Sequence, residues 1–139
     1  MGKPSNWPRQ KPELKWSPAP VVILGLDTAD HGPSGLLTLC KDIHQLVQVH
    51  TLIIHPTAYA LASGPDGAFV VAGPFTPQPR ITTGAGDHFN SGFCLGQLLG
   101  FPTDQCLLTG VTTSGFYVRT GQSPDIPDLA KTLRHWPAE

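Results

Sequence analysis

The sequence predicts an α/β domain in which helices flank a partly parallel sheet. The apolar, β-branched run at residues 21–26 is typical of a buried strand. From Pro33 to about His50, apolar residues recur at steps of three and four, which indicates an amphipathic helix. Two further apolar runs lie on either side of the turn-forming segment 63–67. This order of strand, helix, strand pair and further helices favours a layered α/β fold.

The middle of the chain predicts short strands. Residues 51–54 form an apolar run that we expect to be a strand, continuing less regularly through 59–61. Pro56 interrupts this run, and because proline has no amide proton it favours a break or an edge position. The turn at 63–67 is followed by the β-branched run 68–72, so the runs on its two sides are predicted to pair as a hairpin. A proline-rich connector then leads to residue 81.

Three helices are predicted for the last third of the chain. The first follows Asp87, and Gly100 is predicted to end it. Its buried face is expected to contain Phe89, Phe93, Gly96 and Leu99. Thr103 is predicted to be the N-cap of the second helix, which should end at Gly121. A short helix from about Asp128 to His135 closes the chain.

The composition limits the classes of function. The chain has 139 residues, a formal net charge of -1 and a pI near 6.6, which give no electrostatic basis for binding nucleic acid or an anionic membrane. No apolar run approaches the ~20 residues of a membrane span, and the N-terminus lacks a signal-peptide core. Three widely spaced cysteines fit reduced thiols, so we expect a cytoplasmic protein. We divide the chain into an irregular, proline-rich segment at 1–20 and a domain at 21–139.

Residues 81–93, ITTGAGDHFNSGF, carry the strongest chemical signal. The turn Gly84-Ala85-Gly86 lets the backbone approach a ligand closely, and the helix start behind it adds unpaired amides and the positive end of the helix dipole. This combination predicts an anion site suited to phosphate. Asp87 would be a poor phosphate ligand but a suitable base beside one. No Lys-Ser or Lys-Thr follows the glycines, which excludes a Walker motif. The stretch therefore predicts phosphoryl transfer.

The same stretch resembles the C-terminal signature of the ribokinase/PfkB family of carbohydrate kinases. The agreement consists of the run 82–87, TTGAGD, followed by Phe89, Gly92 and Phe93 at the family's spacing. The resemblance covers residues 21–130, which correspond to the C-terminal part of a family member. It implies a ribokinase-like layered sheet with flanking helices. It also implies an ATP-dependent kinase that acts on a small-molecule sugar, and a homodimer in the full-length form.

The resemblance implies a role for each motif residue. Asp87 would be the general base that takes the proton from the sugar hydroxyl. The ATP-binding anion hole would be formed by Thr83, Gly84, Ala85, Gly86 and Asp87. The segment Asp27-Thr28-Ala29-Asp30 stands where the family has an Asn-x-x-Glu motif associated with Mg²⁺, so Asp27 and Asp30 become candidate Mg²⁺ ligands. ATP and Mg²⁺ are the cofactors expected.

The chain departs from the family pattern in three ways. Ile81 replaces an Asp of the family's monovalent-cation site. Gly110 stands where the family often has an Asn near the adenine. The N-terminal half, which supplies the sugar-binding residues and the lid in the family, has no counterpart in the chain. The alternative hypothesis is therefore a truncated, non-catalytic nucleotide-binding or structural module.

Several other side chains have alternative interpretations. Cys40 and His44 lie one helical turn apart and either share a metal ion or are ordinary helix side chains. His88 either contacts a phosphate or lies on the helix surface. His55, before a proline, is expected to be structural. Arg119 is expected to cap a helix C-terminus, with a contact to the nucleotide as the less favoured interpretation.

Overall fold

The computed structural model describes Asp30 and residues 32–137 of the chain. The predicted irregular segment 1–20, the predicted strand 21–26 and the candidate ligand Asp27 lie outside these described residues. In chain order, the described part contains one helix, three strands and three further helices. None of these helices is long and apolar enough to cross a membrane.

The first helix, α1, spans Pro33–Leu46. It ends before the predicted boundary at His50, so this part of the prediction is wrong. The reason is local. Val47 follows the helix in an extended conformation, with φ -109° and ψ 131°. The His44 ring also donates from Nε2 to the Val49 carbonyl at 2.9 Å, which stabilises a turn where the helix would otherwise continue.

Three antiparallel strands form the described sheet, in the spatial order β1 (Leu52–Ile54), β2 (Tyr59–Gly64) and β3 (Gly67–Ala72). The predicted hairpin is confirmed, because β2 and β3 pair across a two-residue turn. The predicted continuation of the first strand through 59–61 is wrong, since the chain reverses at 55–58 and β2 runs back along β1. Pro56 lies in this reversal, consistent with the predicted break. The parallel part of the predicted sheet rested on residues 21–26, outside the described part.

Two long helices, α2 (Ala85–Leu98) and α3 (Thr103–Thr120), pack closely against one another. Their contact depends on glycine at position 92. A Cβ there would lie 2.3 Å from Thr113 Oγ1 and 2.7 Å from the Thr109 carbonyl oxygen. The face of α2 that bears this glycine therefore packs closely against the next helix.

The connection between α2 and α3 differs from the prediction at two residues. Leu99, expected on the buried face, is 58% exposed, because α2 ends before it and the chain turns away at Gly100, whose φ is 75°. Thr103, predicted as the N-cap, is the first residue of α3 and follows Pro102. Its amide donates to Asp66 Oδ2 at 2.8 Å and its hydroxyl donates to Asp66 Oδ1. The cap of this helix is thus a side chain 37 residues upstream.

The last helix, α4, spans Ile126–Arg134 and begins two residues before the predicted start at Asp128. Its first turn carries a capping box. The Asp128 amide donates to Asp125 Oδ1 at 2.8 Å, and the Asp125 amide donates to Asp128 Oδ2 at 3.2 Å. Gly121, with a φ of 75°, ends α3 before this loop as predicted.

Helices cover both faces of the sheet, as the layered fold class predicts. Successive residues of a strand point to opposite faces. Ala60 and Ala62 of β2 join the core formed with α2 and α3, whose largest buried side chains include Phe89 and Leu107. Ser63 points to the other face, where its hydroxyl bonds His44 Nδ1 of α1 at 2.9 Å. All four central residues of β2 are buried, which makes β2 the centre of the described fold.

Candidate functional site

The glycine turn lies directly at the N-terminus of α2. Gly84 precedes the helix in the left-handed region, with φ 90° and ψ -1°, a conformation that favours glycine. A Cβ at this position would also lie 3.3 Å from the hydroxyl oxygen of Tyr117. The Ala85 amide donates to the Thr82 carbonyl at 3.1 Å, which closes the turn.

Several amides of this turn have no acceptor among the described residues. The N–H groups of Gly84, Gly86 and Asp87 form no backbone hydrogen bond, and the first intrahelical bond runs from the His88 amide to the Gly84 carbonyl at 3.1 Å. The Ala85 amide differs, because the Thr82 carbonyl already occupies it. Of the four amides from Gly84 to Asp87, three are therefore open and one is engaged within the turn.

Asp87 lies in the first turn of α2 and is exposed. Its carboxylate has no hydrogen-bond partner among the described residues. The Ser91 hydroxyl donates to the Asp87 backbone carbonyl at 2.8 Å and leaves the side chain untouched. The carboxylate therefore stands beside open amides, accessible to a reacting group.

A cavity of about 330 Å³ adjoins the turn. Its walls come from the reversal at 55–59, the connector 73–79 and the middle of α3, and Thr82, Ala85 and Gly86 also line it. Nothing lies within 4 Å of the position that a Cβ would take at Gly86. The cavity thus has direct access to the backbone of residues 82–87, the candidate anion turn.

His55 packs against α2 and also lines the cavity. Its ring stacks on Phe89 with centroids 4.0 Å apart, and it lines the cavity. Burial lowers the pKa of His55 below its ordinary value of 6.5, so the imidazole is neutral at pH 7. Neither ring nitrogen bonds a described residue. The expected structural role is therefore seen, and the ring nitrogens can also bond a ligand.

Two residues of α3 take different positions relative to the cavity. Gly110, which stands where the ribokinase/PfkB family often has an Asn near the adenine, packs instead against Phe89, where a Cβ would lie 2.8 Å from Cε2. Ser114 lies one turn further along, lines the cavity, and forms no side-chain hydrogen bond with a described residue. The sequence interpretation missed Ser114. The only signal for it was the run of small residues, Thr112 to Gly115, in a helix otherwise assigned to packing.

Two arginines hold the connector beside the cavity. Arg119 donates to the carbonyls of Pro74, at 3.3 Å, and Phe75. The expectation that Arg119 caps its own helix is therefore wrong, because its side chain reaches across to the connector. The cap comes from Arg80, whose amide donates to Val118 O at 2.7 Å and whose guanidinium donates to the Thr120 carbonyl at 3.2 Å.

All three described candidate metal ligands form hydrogen bonds within the protein. Both ring nitrogens of His44 bond protein groups, and the Cys40 thiol donates to the Leu52 carbonyl at 3.6 Å. These two residues are therefore structural helix side chains. Asp30 accepts from the Gly32 amide through Oδ1 at 2.8 Å, and its second oxygen bonds no described residue. Within Asp30 and residues 32–137, no group of three or more His, Cys, Asp or Glu side chains could hold a metal ion.

The described residues fit Mg²⁺ only as a partial ligand set. Mg²⁺ is usually held by one or two carboxylates, and water and substrate phosphates complete its coordination shell. The open carboxylate oxygen of Asp30 suits one such position. Asp27, the second candidate, lies outside the described residues.

The sequence matches the family model for prokaryotic ketohexokinase over residues 23–136. A ketohexokinase from Haloferax volcanii is 38% identical over 63 residues, which make up 45% of this chain and 17% of that protein. The chain therefore matches only a small part of this relative's length.

Solved structures share the fold at lower identity. A nucleoside kinase from Methanocaldococcus jannaschii, an archaeal member of the ribokinase family, superposes with a TM-score of 0.59 and 21% identity, over 68% of this chain and 33% of that one. A mutant of phosphofructokinase-2 from Escherichia coli superposes with a TM-score of 0.66 and 14% identity, over 83% of this chain and 37% of that one. These likenesses confirm the predicted α/β ribokinase-like fold. With the family match over residues 23–136, they show that the chain belongs to the prokaryotic ketohexokinase family, within the ribokinase/PfkB carbohydrate kinases.

Proposed function

We propose that the chain carries the phosphoryl-donor part of an ATP-dependent carbohydrate kinase site. One observation carries the proposal: open amides at Gly84, Gly86 and Asp87 lie at a helix N-terminus, beside a carboxylate without a bonding partner among the described residues. Such amides suit the negative charge of a phosphate. The names of the matched family and of its Haloferax volcanii relative make a ketohexose the proposed acceptor.

In the proposed mechanism, Asp87 accepts the proton of the sugar hydroxyl as that oxygen forms a bond to the γ-phosphorus of ATP. The bond from this phosphorus to the β,γ-bridging oxygen breaks, and ADP leaves. The amides of Gly84, Gly86 and Asp87 donate to the transferring phosphoryl group. Fixed donors of this kind stabilise charge without reorganising and are commonly the largest catalytic contribution.

The cavity beside the turn is the proposed position of the nucleoside. It reaches Gly86, so a ligand in it would place its phosphates near the open amides. The neutral imidazole of His55 and the hydroxyl of Ser114 are the groups proposed to bond the base or ribose. When bound, Mg²⁺ would neutralise phosphate charge, and Asp30 and Asp27 are the residues proposed to hold it.

A second candidate is a non-catalytic nucleotide-binding or structural module. It is favoured by the coverage, since the chain matches 17% of the curated relative and about one third of the solved kinases. The first candidate predicts nucleotide binding. The second predicts either nucleotide binding or only a stable fold. Only the first predicts that Asp87 matters for turnover.

The test is ATP-dependent phosphorylation of a panel of ketohexoses and aldohexoses. It uses the chain and a version extended at the N-terminus to the length of its relatives. In the extended protein, Asp87→Asn is expected to lower kcat by about 10²–10⁴ and to change the Kd for ATP little, as for a lost general base. Asp104→Asn, a carboxylate at the start of α3, is the matched control and should keep full activity. Unaltered turnover in Asp87→Asn would contradict the base assignment, and an inert extended protein would leave the module as the function.

A further inference from the structure

Two aromatic side chains from different helices form a stacked pair beside the anion turn. His88 of α2 and Tyr117 of α3 have ring centroids 3.6 Å apart, with an angle of 11° between their planes. Each of these side chains forms a hydrogen bond with a backbone carbonyl of the turn. The Tyr117 hydroxyl donates to the Thr83 carbonyl at 3.0 Å, and His88 Nδ1 bonds the Gly84 carbonyl at 2.8 Å. Side chains therefore bond two consecutive carbonyls of the turn.

The His88 ring is held at both nitrogens. Because a carbonyl oxygen only accepts, Nδ1 must carry the proton that it donates to Gly84. In the neutral ring, Nε2 then accepts from the Ser123 hydroxyl at 2.9 Å. Ser123 lies in the loop after α3, so the ring joins this loop to the turn. With both nitrogens bonded to protein groups, His88 is neither a phosphate ligand nor a free surface side chain.

The two held carbonyls orient the neighbouring amides. In a trans peptide the C=O and N–H groups point in opposite directions. The Thr83 carbonyl points to Tyr117, so the Gly84 N–H points away from it. The Gly84 carbonyl points to His88, and the Ala85 N–H on the far side of the same peptide donates to Thr82. Rotation of the Thr83 peptide would replace the open Gly84 N–H with a carbonyl oxygen, which repels phosphate. Rotation of the Gly84 peptide would break the Ala85–Thr82 hydrogen bond that closes the turn.

We propose that His88 and Tyr117 are positioning residues that hold the Thr83 and Gly84 peptides in the orientation that opens the anion hole. This inference rests on the proposed function of the turn. Neither side chain needs to touch ATP in this role. The bond to Ser123 extends the same constraint to the loop that follows α3.

The experiment compares His88→Ala, His88→Asn and Tyr117→Phe with the unchanged chain, and uses the exposed His135→Ala as the control. Asn keeps a donor close to the place of Nδ1 but cannot reach Ser123. Hydrogen exchange is measured by NMR in the ligand-free protein. The exchange rate of the Ala85 amide reports how stable the turn is, and that of the Val111 amide reports how stable the core is. ATP affinity is measured by calorimetry.

His88→Ala and Tyr117→Phe are expected to speed Ala85 exchange and weaken ATP binding, each by about tenfold, the upper range for one lost hydrogen bond. Exchange at Val111 should not change. His88→Asn should recover both values to within about threefold, because it keeps the bond to Gly84. His135→Ala should match the unchanged chain.

Unchanged Ala85 exchange in both His88→Ala and Tyr117→Phe would overturn the positioning role, even if ATP binds. Equal acceleration at Ala85 and Val111, without recovery in His88→Asn, would also overturn it, because the pair would then only stabilise the fold. If the unchanged chain does not bind ATP, the proposed function of the turn fails. The exchange comparison then still decides whether the pair holds the peptides.

Discussion

Glycines of the motif and its helix have separate physical roles, which substitution can distinguish. Gly84 needs its left-handed φ of 90°, and Gly92 needs the absence of a side chain against α3. Gly86 needs neither, since it lies inside the helix and no atom stands within 4 Å of the place a Cβ would occupy. Any requirement for glycine at 86 must then come from the ligand.

For Gly86→Ala, we expect the free energy of unfolding to stay the same or rise by up to about 1 kcal/mol, because alanine is the better helix former. ATP binding should weaken at least about tenfold, because the methyl group would stand in the cavity at the open amides. Urea unfolding and calorimetric titration measure the two quantities. Unchanged ATP affinity would show that no phosphate approaches this part of the turn.

For Gly92→Ala, we expect a loss of about 1–3 kcal/mol in the free energy of unfolding, the usual cost of overpacking. The new Cβ would meet Thr113 Oγ1 and the Thr109 carbonyl, and backbone cannot move aside as a flexible side chain could. Urea unfolding measures the loss, with Gly86→Ala as the matched control on the same helix. Equal stability of the two variants would contradict the close packing of α2 against α3.

At the scale of elements, the start of α3 depends on a distant carboxylate. Asp66, in the turn between β2 and β3, accepts both the amide and the hydroxyl of Thr103. These hydrogen bonds lower the pKa of Asp66 below its ordinary value of 3.8. These hydrogen bonds therefore connect the β2–β3 hairpin to α3, in addition to the contacts between apolar side chains.

The lowered pKa of Asp66 sets the direction of a pH effect. Because the folded pKa lies below the unfolded one, the carboxylate stabilises the protein fully above about pH 3.8. This contribution is lost as the pH falls through the lowered folded pKa. Asp66→Asn should therefore reduce the urea midpoint at pH 7, and its difference from the unchanged chain should shrink below about pH 3.8.

The measurement is a series of urea unfolding curves from neutral to acidic pH. Asp104→Asn is the matched control, because Asp104 lies in the first turn of the same helix without these hydrogen bonds. At pH 7, Asp104→Asn should lower the urea midpoint less than Asp66→Asn does. A difference between Asp66→Asn and the unchanged chain that stays constant at low pH would contradict the charge-assisted cap.

At the scale of the whole molecule, the described residues of the proposed site serve the phosphoryl donor, which is one of its two reactants. The anion turn, the carboxylate and the cavity lie together on α2, α3 and the connector. Apart from Asp87, which is proposed to take the proton of the reacting hydroxyl, no described residue is assigned to the sugar. Alignment of both reactants can supply about 7–11 kcal/mol of a barrier in ideal cases.

We therefore expect the chain alone and its N-terminally extended version to bind ATP with affinities within about threefold of each other, because both contain Gly84, Gly86 and Asp87, whose amides are proposed to bind the phosphates. Turnover of the ketohexose should differ by at least about 10³-fold, because only the extended protein would position the acceptor. Calorimetry and a coupled ADP assay measure the two quantities. Equal turnover would show that this chain holds a complete acceptor site.

The sequence by itself determined the layered fold class, the hairpin and the glycine turn at a helix start. These features depend on local periodicity, turn chemistry and a contiguous motif, all of which can be recognised without knowing which segments meet. Two of its errors, the Thr103 cap and the reach of Arg119, concern partners far away along the chain. Local preference alone could not identify Asp66 or Pro74 as those partners.

Only the tertiary structure decided which groups surround the motif. It showed that the Ala85 amide is engaged while those of Gly84, Gly86 and Asp87 are open, because the path of the turn decides which amides meet a carbonyl. It brought Ser114 to the cavity and Gly110 to Phe89, since the two positions lie one turn apart along α3 and therefore meet different neighbours. The motif is one contiguous stretch of sequence, whereas the contacts that support it depend on how α2, α3 and the connector pack in space.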